Sequence, residues 1–179
     1  MSNTPNIIQK FYNKVWNISD SYKTFFDKGG DILQKILPLS MLFYCLYKFG
    51  ISQITLLYVI YFIDVIGTCY LCKALWNNQR PYEWMKVSDK PTNPPSMHFE
   101  WSPKDGNSFT SGHSAASIAG ALPWYLVDWK YGLLATFLAL FVGFSRIVVK
   151  AHWLRDVLTS YGIGLIYSVF VYHIYKTLI

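Results

Sequence analysis

Residues 51–72 read ISQITLLYVIYFIDVIGTCYLC, and this stretch decides the fold. Its twenty-two residues carry one charge, Asp64. As a helix they reach about 33 Å, enough to cross a ~30 Å hydrocarbon layer. Four further apolar blocks flank it, at Ile32–Phe49, Ser111–Val127, Tyr131–Ser145 and Asp156–Ile174. The Ser111 and Tyr131 blocks are short, and cross only if the polar residues at their ends belong to the same helices. Gly50 and Asp128-Trp129-Lys130 allow only tight turns, so neighbouring spans pair as antiparallel hairpins. The expectation is an all-α, polytopic transmembrane bundle of five to six helices, folded as one domain over residues 1–179. A composition of 53% hydrophobic, 18% aromatic and 15% charged residues is too apolar for a soluble domain of this length.

Ahead of the first span, Ile8, Phe11/Tyr12, Val15, Ile18, Tyr22 and Phe25/Phe26 recur at helical spacing, with lysines and asparagines opposite. Residues 1–30 therefore read as an amphipathic segment, lying on a membrane surface or packing on the protein, and ended by Gly29-Gly30. Lys10, Lys14, Asp20, Lys23, Asp27 and Lys28 leave it no uninterrupted apolar core, so it does not read as a cleavable signal. Trp76, Trp84, Trp101, Trp124, Trp129 and Trp153 fall near span ends, as in an interfacial belt. Ala115, Ala116, Ala119 and Gly120 allow close helix packing.

Charge and cysteine content exclude several classes. The net charge is +6, but the lysines are scattered and form no nucleic-acid stripe. Cys69 and Cys72 form a C-x-x-C inside an apolar run, without a flanking base or a second pair, and read as buried helix residues. Asp64 is an intramembrane carboxylate, read here as a hydrogen bond to a neighbouring helix. His98 and His173 stand alone.

Three polar clusters interrupt the apolar sequence. Lys73 and Arg80, with Pro81 following, are seven residues apart; on one helix they would share a face about 10 Å apart along the axis, where two cations can grip one anion. Thr110-Ser111-Gly112-His113 opens the third span, with Ser111 as a natural cap and Gly112 allowing an anion to reach the helix N-terminus. Ser145-Arg146 precedes His152 and Asp156; on a helix the last two share a face, where the carboxylate takes one ring proton and leaves the other nitrogen free to attack. Arg146 adds a planar fork suited to phosphate. Counting crossings puts all three clusters at the same membrane face.

Together the clusters resemble the tripartite signature of the type 2 phosphatidic acid phosphatase superfamily: K-x6-R-P, P-S-G-H and S-R-x5-H-x3-D. Thr110 stands where the family usually has proline. The resemblance implies a membrane phosphatase domain, with residues 73–112 as its active-site-side loop. It implies His152 as nucleophile, Asp156 as its orienting carboxylate and His113 as general acid, with Lys73, Arg80, Ser111, Gly112 and Arg146 holding phosphate. It implies no cofactor. His113, His152 and Asp156 could also ligate zinc, but three nearby cations repel a divalent metal, so no metal is expected.

The partner implied is a membrane lipid: lipid A 1-phosphate, undecaprenyl pyrophosphate, phosphatidylglycerol phosphate or phosphatidate. The polar loop and cationic N-terminal segment favour a bulky anionic headgroup. Phosphate transfer to another lipid uses the same residues, and a transporter or scaffold is the rival outside the enzymes. The resemblance implies a bacterial inner membrane, with the site on the periplasmic face. The positive-inside rule points the other way, because the far side carries only Lys48, Lys130, Lys176 and few other charges.

Overall fold

The structure, a computed structural model, describes residues 7–18, 20–87, 98–99 and 107–179. It has seven α-helices among those residues: α1 (Ile7–Trp16), α2 (Asp20–Phe49), α3 (Gln53–Leu75), α4 (Pro81–Val87), α5 (Gly112–Ala121), α6 (Trp129–Val148) and α7 (Leu154–Leu178). Two-residue strands β1 (Trp76–Asn77) and β2 (His98–Phe99) pair antiparallel in the loop after α3. Trp101, Asp89, Glu100 and Asp105, and with them much of the loop read as the headgroup-facing segment, lie outside the described residues.

Four helices are long and apolar enough to cross a membrane: Ser21–Phe49 within α2, then α3, α6 and α7. Their outer faces carry Phe43, Leu56, Ile63, Phe137 and Phe170, all exposed. Such a surface suits a hydrocarbon solvent, and the chain is an integral membrane protein. The expected span Ser111–Val127 is the ten-residue α5 followed by a 3-10 turn, Leu122–Leu126. This helix sits inside the bundle, packed on α2, α3, α6 and α7. Surrounded by protein, it does not have to match the bilayer thickness.

Small residues make that central position possible. A Cβ on Gly120 would lie 2.4 Å from the Pro38 nitrogen and 2.6 Å from the Leu37 carbonyl carbon, so α5 touches the backbone of α2. A Cβ on Gly164 would meet the Ile118 side chain at 2.6 Å. At Gly143 it would strike Tyr161, whose hydroxyl donates to the Ala139 carbonyl (2.6 Å) and accepts from the Gly143 N–H (3.0 Å).

Three expectations are corrected. Gly29-Gly30 does not end a helix; α2 runs through it, and the segment is shared instead between α1, which ends at Trp16, and α2, which starts at Asp20. The glycines serve contact: a Cβ on Gly30 would lie 2.1 Å from Ser145 Oγ, and one on Gly29 would be 3.2 Å from the Phe141 ring. Trp153 does not sit in an interfacial belt. It is fully buried, its indole N–H bonds the Gln79 carbonyl (2.9 Å), and its ring meets Tyr12 of α1 edge-on. Asp64, at the midpoint of α3, is exposed on the bundle's outer face and makes no hydrogen bond among the described residues.

For the amphipathic segment, the aromatic face of α1 is used against the protein. Tyr12, Val15 and Trp16 are buried, the Trp16 indole donates to the Ile147 carbonyl (2.9 Å), and the Tyr12 hydroxyl accepts from the Leu154 N–H (2.8 Å). Helix α1 thus braces the turn between α6 and α7.

Gly120→Ala is expected to part α2 from α5 and cost about 1–3 kcal/mol. Gly67→Ala, where the added Cβ meets nothing, should leave stability unchanged or slightly raised. Thermal unfolding of the two variants in one detergent compares them directly.

Candidate active site

The site begins where α6 ends. Ser145 and Arg146 lie in its last turn, and the Arg146 carbonyl then accepts from both Ala151 N–H (3.0 Å) and His152 N–H (3.2 Å). Lys150, with φ of 60°, supplies the left-handed residue that reverses the chain. Helix α7 starts at Leu154, and Asp156 in its first turn caps it by accepting from the Trp153 N–H (2.9 Å). His152 therefore precedes the helix, and the expected one-face helical pairing with Asp156 is replaced by a turn.

That turn changes who orients the imidazole. Nδ1 of His152 is 2.8 Å from the Ser108 carbonyl, whereas the nearer Asp156 oxygen stands 3.7 Å away. A carbonyl can only accept, so Nδ1 carries the hydrogen and Nε2 keeps its lone pair. Asp156 acts one step behind. It has no exposed surface, and it accepts from the Ser108 hydroxyl, the Trp153 N–H and the Asn78 amide (3.4 Å). Burial above all pushes the His152 imidazole below its ordinary range; Asp156 pulls upward, while Arg80 and Lys73 add to the lowering.

Lys73 sits in the last turn of α3, but Arg80 is not on the same helix. The chain leaves the helix at Trp76 to pair with β2, and Arg80 caps α4, its carbonyl accepting from the Glu83 and Trp84 N–H groups. Pro81 is then the first helical residue, where a missing N–H costs nothing. Asn107 ties this bend together: its side-chain oxygen accepts from Asn78 N–H (3.0 Å) and Phe109 N–H (3.2 Å), and its amide donates to the Lys73 and Trp76 carbonyls.

Ser111 caps α5 as its sequence position predicts, its hydroxyl accepting from the Ser114 N–H (3.3 Å) and the Ser114 hydroxyl (2.9 Å). It is fully buried behind the wall of the cavity. Thr110, in the place of the family's proline, bonds the Cys69 carbonyl through its hydroxyl (3.0 Å) and fastens the loop to α3. Gly112 and His113 form the first turn, where helix N–H groups face outward and favour an anion. A Cβ on Gly112 would meet nothing within 4 Å.

These pieces enclose one cavity of about 290 Å³, lined by Lys73, Arg80, Gly112, His113, Arg146 and His152, with Cys69, Tyr70, Thr110 and Ala151. The three separated clusters thus meet, with Ser111 and Asp156 just behind the wall. Residues that no pattern marked also belong to the assembly: Asn78, Asn107, Ser108, and Asp27 and Asp31 of α2. Arg146 is 5% exposed, and all its N–H groups have partners. Nε donates to Ser145 Oγ (3.0 Å), Nη1 faces Asp27 (3.2 Å) and Asp31 (3.4 Å), and Nη2 meets the Phe26 (3.5 Å) and Asp27 (2.9 Å) carbonyls.

Fold and cavity together define an all-α membrane protein with a cationic, histidine-lined pocket at the loop end of its bundle. The chain belongs to the PAP2 superfamily, whose family model matches residues 49–179. It is accordingly a phosphatase-type hydrolase. No curated protein and no solved structure matches it. Helix α1 and all of α2 before its last residue lie outside the family match.

Asp156→Asn keeps one oxygen, so its amide N–H₂ must face either the Ser108 hydroxyl and Trp153 N–H at one oxygen position or the Asn78 amide at the other. It is expected to cost about 1–3 kcal/mol in thermal unfolding and to loosen the Ser108 loop. Retained stability would show that Asp156 is not the loop's anchor.

Proposed function

We propose that the chain is a metal-independent lipid phosphate or pyrophosphate phosphatase working through a phosphohistidine on His152. The observation that carries the reading is the His152 imidazole, whose Nδ1–H is tied to the Ser108 carbonyl and whose ring lines a cavity with Lys73, Arg80 and the α5 N-terminus. In this mechanism Nε2 attacks phosphorus, the phosphorus–oxygen bond to the leaving group breaks, and His113 protonates the departing oxygen. Water then attacks phosphorus, His113 takes its proton, and the phosphorus–nitrogen bond breaks to free His152 and inorganic phosphate. Lys73, Arg80 and the Gly112 amide hold the phosphoryl oxygens as charge builds, with Arg146 at the cavity wall.

A lipid substrate is supported by a second, apolar groove. It opens between α2 and α3, is lined by Pro38, Leu39, Leu42, Val59 and Phe62, and has Ala116 in its wall, one helical turn beyond His113. An acyl or prenyl chain lying there would bring its headgroup to the cavity. Among membrane lipids, lipid A 1-phosphate, undecaprenyl pyrophosphate and phosphatidylglycerol phosphate fit the cationic cavity, with the site on the outer face of a bacterial inner membrane. Cysteine tagging at the Asp128 turn reads that orientation.

Purified protein in detergent is expected to release phosphate from one or more of these lipids. Orthovanadate should inhibit, and a chelator should leave the rate unchanged. His152→Ala should lower turnover at least ~10³-fold; a variant that keeps its rate sinks the phosphohistidine. Phosphorylated lipid product in place of free phosphate would identify a transferase.

The lowered imidazole range makes a separate prediction. Neutral His152 persists to more acid pH than a free histidine, so the acid limb of kcat/KM should lie below ~6.5. A limb at or above that value would contradict the role.

A further inference from the structure

Helix α2 brings a carboxylate into the site from a part of the chain that carries no signature residue. Asp31 Oδ1 stands 2.7 Å from His113 Nε2. It is also 3.4 Å from Arg146 Nη1, and Asp27, one turn earlier, holds the same nitrogen at 3.2 Å. The approach is built into the backbone, because Gly30 alone lets α2 press against Ser145 and Arg146.

We infer that Asp31 is a positioning residue that holds His113 as the acid for the leaving oxygen, an inference that rests on the phosphatase reading above. An ionised carboxylate only accepts, so Nε2 of His113 carries a hydrogen and donates it to Asp31. Nδ1 is left to give its proton to the departing oxygen, and later to take one from water. The carboxylate favours the charged ring, which an acid needs at the start of the cycle.

The contrast with His152 is chemical. His152 gives its N–H to a neutral carbonyl and has its carboxylate, Asp156, only at 3.7 Å; His113 gives its N–H to a carboxylate directly at 2.7 Å. Other charged or titratable groups facing His113 are Asp27 from α2, Lys73 from α3, Arg80 ahead of α4, Arg146 from α6 and His152 from the α6–α7 turn. Lys35 acts on Asp31 from its own helix. Burial above all pushes the His113 imidazole below its ordinary range and Arg146 adds to the lowering; Asp31, the carboxylate in direct contact with it, works against both, helped by Asp27.

A leaving-group comparison tests this in the full chain in detergent micelles. An alkyl phosphate monoester needs its oxygen protonated as it departs, whereas p-nitrophenyl phosphate does not. Asp31→Ala is expected to lower kcat/KM for the alkyl ester ~10–100-fold while changing the aryl ester less than about threefold. Asp31→Asn keeps an acceptor and a similar shape but loses the charge. It should move the alkaline limb of the alkyl-ester profile down by about one pH unit. This milder variant also covers the case in which Asp31→Ala fails to fold.

An equal fall for both esters, or an unmoved limb, would make Asp31 merely structural and overturn the inference. Tighter orthovanadate binding with unchanged leaving-group dependence would also overturn it, since the carboxylate would then be a competitor for phosphate. His152→Ala, run alongside, reports on the phosphatase reading itself. If the wild-type protein releases phosphate from neither ester, that reading falls and the role of Asp31 with it.

Discussion

A carboxylate with no exposed surface, inside a bundle whose outer face is hydrocarbon, has to be answered by donors. Asp156 is that group, and much of the site's geometry follows from answering it. The Ser108 hydroxyl, the Trp153 N–H and the Asn78 amide converge on it from the long loop, the α7 start and the bend after α3. Satisfying one charge therefore ties three chain segments together, and the Ser108 carbonyl is delivered to Nδ1 of His152 as a consequence. Left unpaired, a charge so buried would cost several kcal/mol.

The other charged centre is Arg146, whose partners come mainly from α2. Fork and carboxylates satisfy each other, and the small surface of Gly30 lets the two helices meet closely enough to do it. That clamp places Asp31 beside His113. Two histidines lining one cavity thus receive different support: His152 bonds a neutral carbonyl with its carboxylate at 3.7 Å, and His113 bonds a carboxylate directly. A site that needs one nucleophile and one acid requires this asymmetry.

Legibility in the sequence followed the kind of signal each feature leaves. Apolar runs long enough to cross a bilayer marked α2, α3 and α7, because the solvent imposes a minimum length. The short Tyr131–Ser145 block reaches span length as α6 by taking in the residues at its ends, Trp129 to Val148. Ser111 was readable as a cap, since capping needs a side-chain oxygen at one position. Glycine was ambiguous: Gly29-Gly30 can end a helix or let two helices touch, and only the presence of Ser145 and Phe141 opposite decides. Helical spacing also misled at Lys73–Arg80, where the chain leaves α3 between the two, and at His152–Asp156, where α7 starts only at Leu154. Asn107 and Ser108 left no pattern, because their roles are hydrogen bonds to residues about 30 to 50 positions away.

By itself the sequence determined an all-helical membrane bundle and the three polar clusters whose joint spacing marks the family. These are local properties of hydropathy and residue type, written in consecutive positions. Tertiary structure decided that α5 lies inside the bundle, that Ser108 orients His152, and that Asp31 reaches His113 from outside the signature. Each of these depends on helix faces meeting at a glycine or on a buried charge finding distant donors, and neither has a local period to read.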